Sequence, residues 1–353
     1  MSAMEEMEPV RAGITGCGGI TPTVLRGIKG IPEIDVRIVH DIDDFAVRQV
    51  ASEFTVPRYT TDFDDFLSEN IELVVVNTPN DCHRDQAVQA VKSGKHCLVQ
   101  KPLARNVEEG MEMVAAAKDA GRLLGVVMLE RSDPIYRQMR AMAADGCFGS
   151  LTVVRTALAH VNHLRRPPAP DDWRSSPERI GGGSFIQLAV HHIDIAQFIL
   201  DQNIVEVTAL SSSMVAPKKF PVDETTATVV RFSEGTIGLF LSSFTASTDS
   251  VEFFGTDGMI SRDDSGVRWL AGKLFSGELW DSRRVGEMHE LEMPKLATKI
   301  LELIPRYEPH RLFAHAIRGK APLETPGEVG LQALKVVEAV RKSSMEKRAI
   351  IVE

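Results

Sequence analysis

From Val10 onward the chain alternates short apolar runs with longer amphipathic stretches. Val10–Thr15, Val36–His40, Leu73–Thr78, His96–Val99 and Leu123–Met128 read as strands, because runs of roughly four to eight aliphatic residues bounded by turn residues suit a buried strand. The intervening segments are long enough for crossover helices, so the pattern predicts a parallel, doubly wound α/β sheet with right-handed connections. After Met128 the pattern changes. Asp133–Ala144 reads as a helix with Pro134 near its start, and Gly146 and Gly149 lead to a strand at Leu151–His160. Ile204–Ser212, Thr225–Phe232, Thr236–Phe244 and Val251–Phe254 follow as strands, with a tight hairpin at Ser233-Glu234-Gly235. These predict a second, α+β domain built on an open, mainly antiparallel sheet. One face of that sheet is expected to carry helices. The other, with Val229, Leu239 and Leu241, is a candidate subunit interface, since a broad apolar face is rarely left wet. Thr325-Pro326-Gly327-Glu328 is a capping box that opens a helix to about Lys342.

A chain of 353 residues suits two domains, divided here as 8–128 and 129–353, each large enough for its own core. The net charge of −9, from 40 basic and 49 acidic residues, together with the lack of a basic stretch interleaved with aromatics, argues against a nucleic-acid partner. Cys17, Cys82, Cys97 and Cys147 show no metal-ligand spacing, so reduced thiols, no metal and a cytoplasmic setting are expected. The acidic N-terminus has no apolar signal core, and no run of about 18 apolar residues offers a membrane span.

The first predicted strand runs into Gly16-Cys17-Gly18-Gly19-Ile20-Thr21, and Pro22–Ile28 reads as a helix. Glycines there permit a tight turn and let backbone approach a pyrophosphate at a helix N-terminus. Thr21 stands where the fingerprint has Gly or Ala. An ordinary strand-to-helix turn also uses glycine, but the second strand ends at Asp41, where a carboxylate suits adenosine ribose hydroxyls and repels a 2′-phosphate. A dinucleotide site for NAD, with NADP disfavoured, is the better reading. Asn77-Thr78-Pro79-Asn80 with His83, and Gln100-Lys101-Pro102, lie at further strand ends, which line the ligand crevice of an open α/β sheet.

The second domain holds a polar helix. Gly181, Gly182 and Gly183 read as a flexible hinge into it, and at 100° per residue Gln187, His191 and Asp194 fall within about a 60° arc. His192 points away from that face. A titratable imidazole flanked by hydrogen-bonding side chains suits general acid/base catalysis, and the alternative is a buried histidine satisfied by an aspartate. The basic, proline-rich stretch from His163 to Arg179 reads as a surface loop, or as a cover bringing Trp173, Arg174 and, less so, Arg165 to a substrate.

These residues resemble the Gfo/Idh/MocA family of NAD(P)-dependent oxidoreductases, which act mostly on sugars and cyclitols. The likeness runs along nearly the whole chain: Gly13 to Ile20, Asn77 to Asn80 with His83, Ser93 to Pro102, Asp172-Trp173-Arg174, the triple glycine with His191-x-x-Asp194, Phe254 to Gly258, and Phe313 to Glu328. The resemblance implies an NAD-binding Rossmann domain at 8–128 and a substrate-binding, oligomerising domain at 129–353, with the substrate between them and a homodimer or homotetramer formed through the C-terminal sheet. It implies that Lys101 is the catalytic lysine and His191 the proton donor or acceptor. Gln187, Trp173 and Arg174 would contact substrate. Gly16, Cys17, Gly18, Gly19, Ile20, Asp41, Asn77, Thr78, Pro79, His83, Gln100 and Lys101 would hold the cofactor. Three departures stand out: Gln100 and Gln187 where the family usually carries acids, and Ala189 for a glycine. Gln187 hydrogen-bonds but supplies no charge; Asp194 on the same face is a candidate partial substitute, although the resemblance more often gives that aspartate to the helix's own structural network. Two other functions stay open, NAD-assisted glycoside cleavage by transient oxidation and a non-catalytic NAD or sugar binder.

Overall fold

Strands that are apolar on both faces need helices on both faces, and the first part of the chain supplies them. The computed structural model describes residues 7–161, 169, 172–215, 222–263, 266–271, 289–290 and 308–353. Its elements begin with β1 (Val10–Thr15), α1 (Thr21–Ile28), β2 (Ile34–His40), α2 (Asp44–Phe54), β3 (Arg58–Thr60), α3 (Phe63–Ser68), β4 (Leu73–Val76), α4 (Asn80–Lys92), β5 (His96–Val99), α5 (Val107–Asp119) and β6 (Leu124–Val126). All pairings among these strands are parallel, in the order β3-β2-β1-β4-β5-β6. The strand β4, Leu-Val-Val-Val, is wholly buried.

Helix N-termini in this sheet fall into two groups. Asp43, Asp62 and Asn106 cap α2, α3 and α5 by accepting from backbone N–H groups, each cap worth about 1 kcal/mol. Neither α1, preceded by Ile20, nor α4, preceded by Pro79, has a side-chain cap. These two helices start in the glycine turn and in the Asn77–Asn80 loop. Thr21 N–H donates to Gly18 O at 3.1 Å and Cys82 N–H to Pro79 O at 2.9 Å, so these two ends are closed by backbone turns rather than by side chains.

The remaining elements are α6 (Pro134–Ala144), β7 (Leu151–Ala159), α7 (Pro177–Ile180), α8 (Val190–Leu200), β8 (Ile204–Ser212), β9 (Thr225–Phe232), β10 (Ile237–Ser243), β11 (Thr248–Gly255), β12 (Gly258–Asp263), β13 (Gly266–Ala271), β14 (His289–Glu290), α9 (Glu308–Ile317), α10 (Gly327–Glu346) and β15 (Ile350–Ile351). A second sheet runs β14-β13-β12-β11-β7-β10-β9-β8-β15. It is antiparallel except where β10 lies parallel to β7. The hairpin between β9 and β10 turns through Gly235, at φ +97°, whose N–H donates to Phe232 O at 2.9 Å. Alternation along β9 and β10 buries Val230, Phe232 and Phe240 with residues of α8 and α10, including Ile193, Ala196, Val336 and Val340. It leaves Val229, Leu239 and Leu241 exposed on the other face.

The chain forms two compact units, Met1–Leu129 with Ile304–Gln332, and Glu130–Leu303 with Ala333–Glu353. The second stretch of the first unit lies far along the sequence from the first. Side chains far apart in sequence hold the two stretches together. Phe313 fills the space beside Gly125, where a Cβ would stand 2.6 Å from its ring. Arg318 bonds Glu72 at 2.8 Å and His315 lies 3.2 Å from Glu33. Thr325 O accepts from Val126 N–H at 3.0 Å.

Candidate active site

In the first unit the candidate cofactor residues follow four adjacent parallel strands on one edge of the sheet: Gly16–Ile20 after β1, Asp41 after β2, Asn77–Pro79 after β4 and Gln100–Lys101 after β5. Gly16 has φ +89° and a Cβ there would lie 2.8 Å from the backbone of Asn77, so the turn needs glycine. Gly18 and Gly19 are exposed, with nothing within 4 Å of where a Cβ would stand. Ile20, on the same turn, is 41% exposed. The open backbone in front of uncapped α1 has the shape and polarity a pyrophosphate requires.

Asp41 ties this turn to β2. Its Oδ2 accepts from Cys17 N–H at 2.6 Å and its Oδ1 from Asp43 N–H at 2.9 Å, which orients the carboxylate and leaves lone pairs for ribose hydroxyls. Burial, followed by the Asp41 charge, pushes the Cys17 thiol up to about 12, so it is no nucleophile. Thr21 takes a structural part. Its hydroxyl donates to Gly16 O at 2.5 Å, so it must accept from Asn77 Nδ2, 3.0 Å away. That fixes the amide of Asn77, whose buried Oδ1 has no partner among the described residues. A bound donor would satisfy it. The uncapped helix, the open glycines and this orphaned acceptor together fit a dinucleotide.

Thr78 donates to Gln86 Oε1 at 2.8 Å, and Pro79 is the residue before α4. His83 is buried, with Nδ1 3.0 Å from Pro102 O and Nε2 3.0 Å from Thr78 O. It spans the loops after β4 and β5, and burial lowers its pKa. Gln100 N–H extends the ladder to Val76 O at 2.9 Å. Lys101 follows, partly buried, on a cis bond to Pro102.

In the second unit the glycines of the expected hinge are anchored. Asp223 accepts from Gly183 N–H at 2.7 Å and from Phe185 N–H at 3.0 Å, and its backbone O accepts from Ser184 N–H at 2.8 Å. A Cβ on Gly183 would lie 2.0 Å from that oxygen. Glycine is required here for close approach rather than for flexibility. The chain then makes a π-helical turn, Phe185–Ala189, before α8. A projection at 100° per residue does not apply across it, and such turns recur at functional sites.

The three side chains of the polar arc part company. Asp194, 1% exposed, is gripped by Arg131 through Nε at 2.8 Å and Nη2 at 2.7 Å, so it is a structural ion pair and no substitute for an acid at 187. Burial pushes its carboxyl up and Arg131 opposes this. His191 is partly exposed, its buried Nδ1 2.9 Å from Glu130 Oε2. Gln187 is partly buried near the start of this helix. His192 faces elsewhere, with Nε2 3.1 Å from Asp249. Glu130, Arg131 and Asp223 escaped the sequence reading. The first two come just after a predicted strand end, the signal that singled out Asn77 and Lys101. Arg174 is exposed, bonded to Asp172 at 3.2 Å and stacked 4.6 Å from the Trp173 ring, so a substrate anion would compete with Asp172 for it. Arg165 lies outside the described residues. Among the described residues no helix is long and apolar enough to cross a membrane, and no group of His, Cys, Asp or Glu is placed to hold a metal ion.

The parallel sheet with its open glycine turn defines a dinucleotide-binding fold. Residues 10–128 match the oxidoreductase family NAD-binding Rossmann fold and residues 136–261 the GFO/IDH/MocA C-terminal domain. The chain is 32% identical over 305 residues to 1,5-anhydro-D-fructose reductase of Ensifer adhaerens, covering 86% of each. It is 25% identical to myo-inositol 2-dehydrogenase of Thermotoga maritima, over 98% of this chain and 99% of that one. Its fold is similar to that of the WlbA dehydrogenase of Bordetella pertussis, solved with NADH and UDP-GlcNAcA, with a TM-score of 0.83 at 21% identity over 98% of both chains. The chain belongs to the GFO/IDH/MocA family of oxidoreductases, with an NAD-binding Rossmann fold as its first unit.

Proposed function

We propose that this protein reversibly transfers a hydride between NAD and a secondary alcohol or ketone of a sugar, sugar derivative or cyclitol. The observation that carries the reading is His191, a partly exposed imidazole on a π-widened helix with a carboxylate at Nδ1, in a chain whose first unit binds NAD. The relatives' own substrates, an anhydrosugar and an inositol, are of this class. Nicotinamide supplies the hydride chemistry when bound. Gly16–Ile20 would receive the pyrophosphate, Asp41 the ribose hydroxyls, and Asn77, Thr78, Pro79 and Gln100 the nicotinamide end, with His83 positioning their loops. Lys101 hydrogen-bonds the reacting oxygen as its charge develops, and His191 moves the hydroxyl proton. Gln187, Trp173 and Arg174 orient the remaining hydroxyls.

Lys101→Ala is expected to lower turnover by a factor of roughly 10³ or more while NAD binding, read by nucleotide fluorescence, stays within a few fold. Nucleotide absorbance with a panel of polyols, sugars and ketosugars provides the rate. Normal turnover in the variant, or silence of the wild type across the panel, counts against the reading.

The exposed face carrying Val229, Leu239 and Leu241 is read as the interface between copies of this chain. Leu239→Lys should then give a smaller species in sedimentation than the wild type.

A further inference from the structure

We propose that Glu130 is a positioning residue for His191: its carboxylate holds the proton at Nδ1 and so makes Nε2 the nitrogen that exchanges a proton with substrate. The catalytic consequence rests on the hydride-transfer reading above, whereas the geometry does not. Glu130 Oε2 lies 2.9 Å from Nδ1, and both atoms are shielded from solvent. The contact is short but off the ideal alignment, a looseness common in acid/base pairs outside their substrate complex.

Glu130 belongs to a 3₁₀ turn, Leu129–Ser132, and its neighbour Arg131 pins that turn to α8. Three guanidinium contacts of 2.7 to 3.0 Å reach Asp194, and the same guanidinium stacks 5.0 Å from the Phe198 ring. Asp194 sits three residues after His191, so the anchor and the pair share one turn of helix. Charged groups close to the imidazole include Glu130 and Arg131 from the 3₁₀ turn and Asp194 from α8. Arg131 and Asp194 offset one another, Asp249 of β11 is paired with His192, and Gln187 is neutral. Glu130 is the carboxylate in contact with the imidazole, at 2.9 Å from Nδ1.

An ionised carboxylate only accepts hydrogen bonds, and a neutral imidazole has one N–H. Placing that N–H on Nδ1 leaves the Nε2 lone pair as the base. In the oxidising direction the alcohol O–H bond breaks and its proton goes to Nε2. The electron pair of the C–H bond, with its hydrogen, would be accepted by bound nicotinamide, leaving the carbonyl. The imidazolium so made carries its charge beside Glu130, which stabilises it.

Two measurements test this. In the whole protein with ¹⁵N-labelled histidine, the long-range ¹H–¹⁵N signals lost in His191→Asn should report the Nδ1–H tautomer, and Glu130→Leu should abolish that preference. An Nε2–H tautomer in the wild type overturns the proposal. In kinetics, Glu130→Gln keeps the shape and loses the charge, and should lower kcat by roughly tenfold to a hundredfold with KM changed by less than about threefold. Glu130→Asp keeps the charge and should retain more kcat than Gln. A packing role reverses that order, and a wild-type kcat in Glu130→Gln, or an Asp variant slower than Gln, also overturns the proposal. The tautomer measurement needs no turnover. A wild type silent toward every substrate therefore removes the hydride-transfer reading and leaves Glu130 to be judged by its spectrum.

Discussion

The glycine turn of the first unit and the His191 cluster of the second are built from different materials. Around Gly16–Ile20 the working groups are backbone N–H donors and empty space, and the side chains nearby, Asp41 and Thr21, serve to shape the loop. Around His191 the working groups are side chains held by charge, with Glu130 against the ring, Arg131 against Asp194 and Asp223 against three consecutive residues of the glycine segment. In the first arrangement backbone crowding sets the limit, at Gly16 above all. The second tolerates modest changes of shape but not the loss of a charge. Sensitivity to substitution should therefore differ in kind between the two regions.

The largest test of that contrast is Arg131→Met. It leaves Asp194 buried without its cation, a change expected to cost about 3–5 kcal/mol, read as a fall in denaturant midpoint. A loss below about 1 kcal/mol would mean that the second region is not held by charge. Next is Gly16→Ala, where a positive φ and the backbone of Asn77 at 2.8 Å oppose the methyl; about 1–3 kcal/mol of stability and most of the NAD affinity should be lost together. Gly18→Ala sharpens the point. Its Cβ meets nothing in the protein, so thermal stability should hold while NAD binding, measured by calorimetry, weakens.

The smallest effect concerns Glu72, whose carboxyl is held below its ordinary range chiefly by hydrogen bonds from Arg318, with burial opposing. A carboxylate with a lower pKa folded than unfolded adds stability that is full above the unfolded value of about 4.3 and is lost as pH falls through the folded value. Glu72→Gln should cost about 1 kcal/mol at neutral pH. The gap between the two melting temperatures should close on acidification below about pH 4. A gap independent of pH would show that the Arg318 contact acts through packing.

The same contrast explains what was legible in the sequence. The parallel sheet, the glycine turn, Asp41 and the strand-end Lys101 are local: each is specified by residues within a few positions of one another, where periodicity and turn chemistry operate. The second region depends on partners far apart. Arg131 and Asp194 are 63 residues apart, and Asp223 is 38 residues beyond Phe185. No helical projection reveals such partners, so neither the hold of Arg131 on Asp194 nor the anchor of the glycines at Asp223 is legible in it. The return of α9 to the first unit has the same origin, since Glu33 and His315 are 282 residues apart. The π turn was unreadable for another reason: Phe-Ile-Gln-Leu-Ala suits an ordinary helix equally well.

That turn makes chain length a determinant of chemistry. A π turn is commonly one residue more than an α-helix needs. Deleting a single residue between Phe185 and Ala189 would leave a continuous helix and nearly the same composition. It would also rotate the Asp223-anchored end by about 100° relative to His191. Two relatives differing by that one residue would offer a substrate the same side chains in different directions, a divergence that an inventory of their amino acids would miss.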